Sequence, residues 1–278
     1  MKDAITEVGI ETFFAGLARV TQSPRIKQIT EVPYGDSPRQ TLDVFLPKDQ
    51  PPKYNILFIH GGSWQYGSKN QYRFLGQALA EQGIACVVVN YRLFPQVRFP
   101  GFVEDGAQAL RWVQTSGHFY GLHSAPTFVM GHSAGVQIAL LALLDPVYAA
   151  HYDLDLKQIL GVICLAGAYS FRPEKSPRYQ QIFPAAACEK DYRNVKPVNF
   201  VQPGGIPLYL LHGRKDKTVA CRSAERMYKN ALLVGHPVHL QIWENHGHAG
   251  LLFDFIKYSP NHQRLMVSLT NFMQDCVE

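Results

Sequence analysis

Short apolar runs recur along the chain, separated by longer stretches in which apolar residues return at helical spacing. Residues 55–60, Asn-Ile-Leu-Phe-Ile-His, form a continuous apolar run, the pattern of a strand buried on both faces. From there the pattern alternates: helix 72–82 then strand 84–90, helix 102–114 then strand 127–130, an Ala/Leu-rich helix to residue 144 then strand 159–165. Strand 207–212 is followed by helix 221–233, strand 238–243 and a helical region from about residue 263. Strands separated by helices predict an α/β fold: a mostly parallel sheet of about eight strands with helices on both faces. Strands 25–32 and 41–46, joined by the turn material Pro33-Tyr34-Gly35-Asp36-Ser37-Pro38, predict an antiparallel hairpin at the sheet edge.

Two segments stand apart. Residues 4–20 read as an amphipathic helix, with Ile5, Val8, Phe13, Leu17 and Val20 along one side, and make 1–22 an N-terminal helical unit. It is expected to pack on the domain surface, with a lid as the alternative. Residues 169–202 are rich in Pro, Arg and Tyr and carry only short helical pieces. A loop of this length after a central strand reads as a small cap-like insertion over the sheet's C-terminal edge. With no repeat or linker, residues 1–278 are expected to form a single domain.

Composition narrows the function classes. Hydrophobic residues are 46% and charged residues 18%, enough for a substantial core. The net charge of +5 is scattered, and its densest cluster, Arg214-Lys215-Asp216-Lys217, is broken by an acid, so no nucleic-acid partner is expected. No apolar run reaches the length of a membrane span. The N-terminus, with Lys2, Asp3, Glu7 and Glu11, lacks a signal peptide's apolar region. Five cysteines form no C-x-x-C pair, which argues for a reducing, cytoplasmic compartment. The oligomeric state is left open, a homo-oligomer included.

The candidate chemistry centres on Gly131-His132-Ser133-Ala134-Gly135, between a short apolar run and a helix. A G-x-S-x-G pentapeptide is weak alone, but strand, sharp turn and helix are the context of a nucleophile elbow. Ser133 would be the nucleophile, and the Ala134 N–H, at a helix N-terminus, would point where an oxyanion forms. His60-Gly61-Gly62-Ser63-Trp64 ends a buried strand, and Gly61 and Gly62 would supply further oxyanion donors. Asp216 lies just past a late strand, as the acid that orients an imidazole should. Trp243-Glu244-Asn245-His246-Gly247-His248 follows the last strand. His248 is favoured as the base, and His246 stays open. Trp64, Tyr66, Phe94 and Phe171 are candidate pocket residues, and Asp105 with Arg92 a structural ion pair. His132 reads as a hydrogen-bonded turn histidine. No H-E-x-x-H or Cys/His spacing supports a metal, His60 and His212 included.

These motifs, with the block from Val89-Asn90-Tyr91-Arg92-Leu93-Phe94-Pro95 through Phe99-Pro100 to Glu104-Asp105, resemble the α/β-hydrolases of the carboxylesterase/lipase type. The likeness spans about residues 41–258 and lies near the feruloyl-esterase-like, kynurenine-formamidase-like and hormone-sensitive-lipase-like branches. It implies hydrolysis of a small carboxylic ester without metal or organic cofactor. It also implies Ser133 as nucleophile, Asp216 as acid, His248 as base, and Gly61, Gly62 and Ala134 as oxyanion donors. Ser63 stands where hormone-sensitive-lipase relatives carry a third glycine. H-G-G-x-W is closer to feruloyl-esterase-like enzymes, kynurenine formamidases and prenylcysteine methylesterases. The expected activity is short-chain ester hydrolysis, with an arylformamidase-type amidase or a non-catalytic ligand-binding protein as alternatives.

Overall fold

A computed structural model describes residues 13–19, 21–122 and 125–278. Eight strands form one sheet: β1 (Ile26–Pro33), β2 (Thr41–Pro47), β3 (Tyr54–Ile59), β4 (Ile84–Val89), β5 (Thr127–His132), β6 (Ile159–Leu165), β7 (Leu208–Gly213) and β8 (Val238–Trp243). Their order is β1-β2-β4-β3-β5-β6-β7-β8. The β1–β2 and β2–β4 pairs are antiparallel and all others parallel, so the expected hairpin does form one edge.

The helices are α1 (Arg73–Glu81), α2 (Gly101–Ser116), α3 (Ala134–Leu144), α4 (Pro146–His151), α5 (Pro177–Ile182), α6 (Arg222–Val234), α7 (Gly250–Phe253) and α8 (His262–Asp275). They cover both faces of the sheet. Along β4, Ala85, Val87 and Val89 face the core under α2 and α3, while Ile84, Cys86 and Val88 face the core under α1 and α8. This strand is buried on both sides, so its residues are apolar throughout rather than alternating. All eleven residues of α3 are buried, which explains why that helix has no polar face.

The expected N-terminal helix is helical over 13–19; residues 4–12 and 20 lie outside the described residues. Phe14 stacks on Tyr72 and Phe74, so this piece packs against α1. Arg92 and Asp105 pair at 2.6 Å, and the Arg92 backbone N–H also donates to Asp105 (2.7 Å), holding the chain leaving β4 against α2. The segment 169–202 contains α5 and several short 3₁₀ helices. Among the described residues no helix is long and apolar enough to cross a membrane.

Candidate active site

The turn between β5 and α3 is tightly constrained backbone at the sheet's C-terminal edge. Ser133 has φ 54° and ψ −114°, a left-handed conformation that costs a non-glycine residue about 1–3 kcal/mol. The flanking glycines are required by space. A Cβ on Gly131 would lie 2.7 Å from the Gly135 carbonyl carbon, and one on Gly135 only 2.1 Å from the Ile59 carbonyl oxygen. Strand, turn and β3 could not close around any side chain there. The Ser133 N–H donates to Leu165 O (2.9 Å), which ties the turn to β6. Its side chain faces a cavity of about 730 Å³ whose lining also includes Ser63, Trp64 and Ala134.

The loop after β3 lies against this turn. A Cβ on Gly61 would come within 3.2 Å of Ser133 Cβ. His60 Nδ1 lies 2.6 Å from the Gly61 carbonyl oxygen and donates to it. Burial drives the His60 imidazole down to about 3, so the ring is neutral. In a planar trans peptide C=O and N–H point opposite ways, so anchoring the Gly61 carbonyl fixes the direction of the Gly62 N–H. The Gly62 N–H donates to no other group among the described residues, whereas the Gly61 N–H is directed at the buried Tyr72 hydroxyl. Ala134 is the first residue of α3, so its N–H has no acceptor within the helix.

Asp216 follows β7 and is held on both oxygens. Oδ1 accepts from the Thr218 and Val219 N–H groups, each at 2.8 Å. Oδ2 lies 2.7 Å from His248 Nδ1 and 3.2 Å from His212 Nε2. Burial works against the charge, but these hydrogen bonds prevail and hold the carboxyl below its ordinary range. His246, the other candidate base, pairs instead with Asp254 at 2.7 Å. His248 therefore sits with Asp216, and His246 belongs to a separate pair.

His248 also meets the elbow. Its ring centroid is 4.8 Å from that of His132, and its carbonyl accepts from His132 Nε2 (3.2 Å). Burial lowers the His132 imidazole to about 3, leaving it neutral beside the Asp216–His248 pair. No hydrogen bond joins the Ser133 hydroxyl to the His248 ring among the described residues. In substrate-free active sites such bonds are commonly long and tighten when substrate enters.

Of the four candidate pocket residues, two line the cavity. Trp64 is buried and packs on Phe171 with ring centroids 5.1 Å apart, and both contribute to the wall. Tyr66 is 60% exposed with Arg178 over its ring, and Phe94 packs under Arg98; neither lines it. Segment 169–202 supplies Ser170, Phe171, Arg172, Lys175 and Tyr179 to the wall. Sequence reasoning missed Gln137, whose Oε1 accepts from Trp64 Nε1 (3.0 Å) and whose Nε2 donates to Val195 O (3.1 Å). A lone polar residue inside the apolar run 136–144 was the available signal. His212 is a second partner of Asp216, and its i,i+4 spacing to that residue is the only signal of it in the sequence. Among the described residues no group of three His, Cys, Asp or Glu could hold a metal ion.

The sequence and the fold have counterparts in known proteins. The BD-FAE family model matches residues 42–231. Isoprenylcysteine alpha-carbonyl methylesterase of Arabidopsis thaliana is 27% identical over 237 residues, 78% of this chain and 56% of its own. Esterase LipC of Mycobacterium tuberculosis is 28% identical over 212 residues, covering 69% of this chain and 52% of its own. Kynurenine formamidase of Danio rerio is 31% identical over 147 residues, 52% of this chain and 47% of its own. This chain thus spans about half the length of the curated relatives it matches. Among solved structures, esterase B from Lactobacillus rhamnosis superposes with a TM-score of 0.78 at 20% identity, covering 99% of this chain and 96% of that one. The fold is accordingly that of the α/β-hydrolase esterases.

Proposed function

The chain belongs to the BD-FAE family, and on that premise we propose that it is a serine carboxylesterase acting on small or short-chain esters. The observation that carries this reading is the Asp216–His248 contact of 2.7 Å, set beside a strained serine at the head of a buried helix. Ser133 attacks the ester carbonyl while His248 Nε2 takes its proton. The carbonyl oxygen becomes an oxyanion stabilised by the N–H groups of Gly61, Gly62 and Ala134. His248 then protonates the departing alcohol, leaving an acyl group on Ser133. Water, deprotonated by the same imidazole, attacks the acyl carbonyl and releases the acid. Asp216 keeps Nδ1–H oriented toward itself and stabilises the imidazolium at each step.

The wall of Trp64, Phe171 and Tyr179 supports small acyl or aryl groups, so 4-nitrophenyl butyrate should turn over faster than the palmitate. The three roles come from one domain, with 169–202 as its cap. Five free cysteines, Cys86, Cys164 and Cys221 among them buried, support a reducing cytoplasmic setting.

Ser133→Ala should abolish turnover of 4-nitrophenyl butyrate and labelling by a fluorophosphonate probe. Full retained activity would place the nucleophile elsewhere, and an unlabelled, folded wild type would favour a ligand-binding role. The resemblance to a kynurenine formamidase supports a second reading, amide hydrolysis on the same residues. Comparing N-formylkynurenine with short acyl esters separates the two.

A further inference from the structure

The cavity that opens on Ser133 is lined by four cationic side chains, Arg172, Lys175, Arg222 and Arg226, and by no carboxylate among the described residues. A second cavity of about 340 Å³ adjoins it, sharing Ser170, Phe171, Arg172 and Arg226. That one adds Lys190, Arg193 and Lys196, with Glu174 the single acid among its described lining residues. Arg172 and Arg226 therefore stand at the junction of two basic spaces.

This concentration is not explained by the general charge of +5, which is spread over 27 cations and 22 acids. Nor are its arginines at the Ser133 cavity consumed by internal pairing among the described residues. Among the described residues no carboxylate forms an ion pair with Arg172, Arg222 or Arg226. Glu225, the acid between the two helix arginines in sequence, pairs with Arg214 at 2.6 Å. Arg222 and Arg226 are four residues apart in the first turns of α6, so they share a face and repel one another. The positive end of the helix dipole adds to the same field. Like charges gathered at a helix start oppose folding, and a ligand anion would relieve them.

We propose that the ester taken at Ser133 carries an anionic group, a carboxylate or a phosphate, bound by Arg172 and Arg226. This rests on the esterase reading and names its substrate class. The same cavity divides by chemistry: Trp64, Phe171 and Tyr179 form an aromatic wall, while Arg172, Arg222 and Arg226, with Ser170 and Ser223, form a polar, cationic side. Guanidinium groups match planar or tetrahedral oxyanions through paired N–H donors. An ester with an apolar body and a charged end fits both halves at once.

Two matched substrate pairs test this. In 4-acetoxybenzoate and 4-acetoxybenzamide the leaving groups differ in charge; in 4-nitrophenyl hemiglutarate and 4-nitrophenyl pentanoate the acyl ends do. Wild type should favour the anionic member of at least one pair in kcat/KM by roughly tenfold. The double variant Arg172→Gln/Arg226→Gln should bring that ratio to near one, and Arg172→Lys/Arg226→Lys should keep most of it. A ratio within a pair cancels any loss of folded protein. Ratios at or below one in both pairs, or a ratio surviving the double glutamine variant, overturn the proposal. If no ester is cleaved and the fluorophosphonate does not label, the esterase reading fails, but calorimetry on Ser133→Ala still decides the binding. Tighter binding of phenyl phosphate or 4-hydroxybenzoate than of 4-hydroxybenzamide, lost in the glutamine background, supports the anion site and shows which anion it prefers. Equal binding of all three overturns it.

Discussion

Asp216 is the residue on which the site's electrostatics turn. Two backbone N–H groups and two imidazoles converge on its carboxylate and hold it ionised below the ordinary range. In the unfolded chain this carboxyl titrates near about 3.9. Its folded value is lower, so its contribution to stability is complete above the unfolded value and is lost as pH falls through it toward the folded one. Asp216→Asn should therefore lose less Tm than wild type on going from about pH 5 to about pH 3, followed by circular dichroism. Equal slopes would mean the carboxyl titrates like an unfolded one. At neutral pH the same variant should lower kcat by about 10³–10⁴-fold, because an amide can present its N–H to His248 and stabilise the wrong tautomer. Gly135 allows a purely steric test. Gly135→Ala would drive a Cβ to 2.1 Å from the Ile59 carbonyl, while Gly247→Ala meets nothing nearer than 3.8 Å. The first should lower Tm by about 10 °C or more, or yield insoluble protein, and the second should change it by about 2 °C at most. A stable Gly135→Ala would refute the closeness of elbow and β3.

At the scale of elements, what could be read from the chain depended on length and burial. The central strands were legible because each is a short apolar run between turn residues, and α3 because nearly all its positions are apolar. Helix α4 went unforeseen: six residues are too few to show a 3.6-residue period. Asp145, whose side chain accepts from Val147 N–H, and Pro146 at the first helical position did carry a start signal. Ser133, Asp216 and the glycines were legible because motif and strand end coincide. The choice between His246 and His248 was not, since two residues of spacing are decided by which carboxylate folds against which ring. Gln137 was illegible as a tie for the same reason: its partners, Trp64 and Val195, are 73 and 58 residues away. That side chain joins α3, the β3 loop and the cap. Gln137→Leu would leave a buried indole N–H and a carbonyl without partners, at about 1–3 kcal/mol each. The cap should then become the first site of limited proteolysis under native conditions, with faster amide exchange around residue 195. Cap protection unchanged relative to the sheet would show that aromatic packing alone holds it.

Over the whole molecule, charge is arranged against its sequence average. Several carboxylates are occupied: Asp216 by histidines, Asp254 by His246, and Asp105 by Arg92. Asp43, under the opposite edge of the sheet, is bound to Lys69 and Arg73. The cations of Arg172, Lys175, Arg222 and Arg226 are left facing the cavity. A concave surface of one sign focuses its field and raises the encounter rate of an oppositely charged substrate. The range of that field is set by salt: the Debye length shrinks from about 30 Å at 0.01 M to about 8 Å at 0.15 M. Contacts made directly with the guanidinium groups lie within either length and are screened less than the long-range approach. Raising ionic strength over that interval should therefore lower kcat/KM for 4-acetoxybenzoate severalfold while kcat changes little. For neutral 4-acetoxybenzamide both constants should stay level, which separates field screening from any general effect of salt on the fold. Parallel salt curves within this pair and within the hemiglutarate and pentanoate pair would mean that the arginines lining the cavity neither attract nor hold the anion.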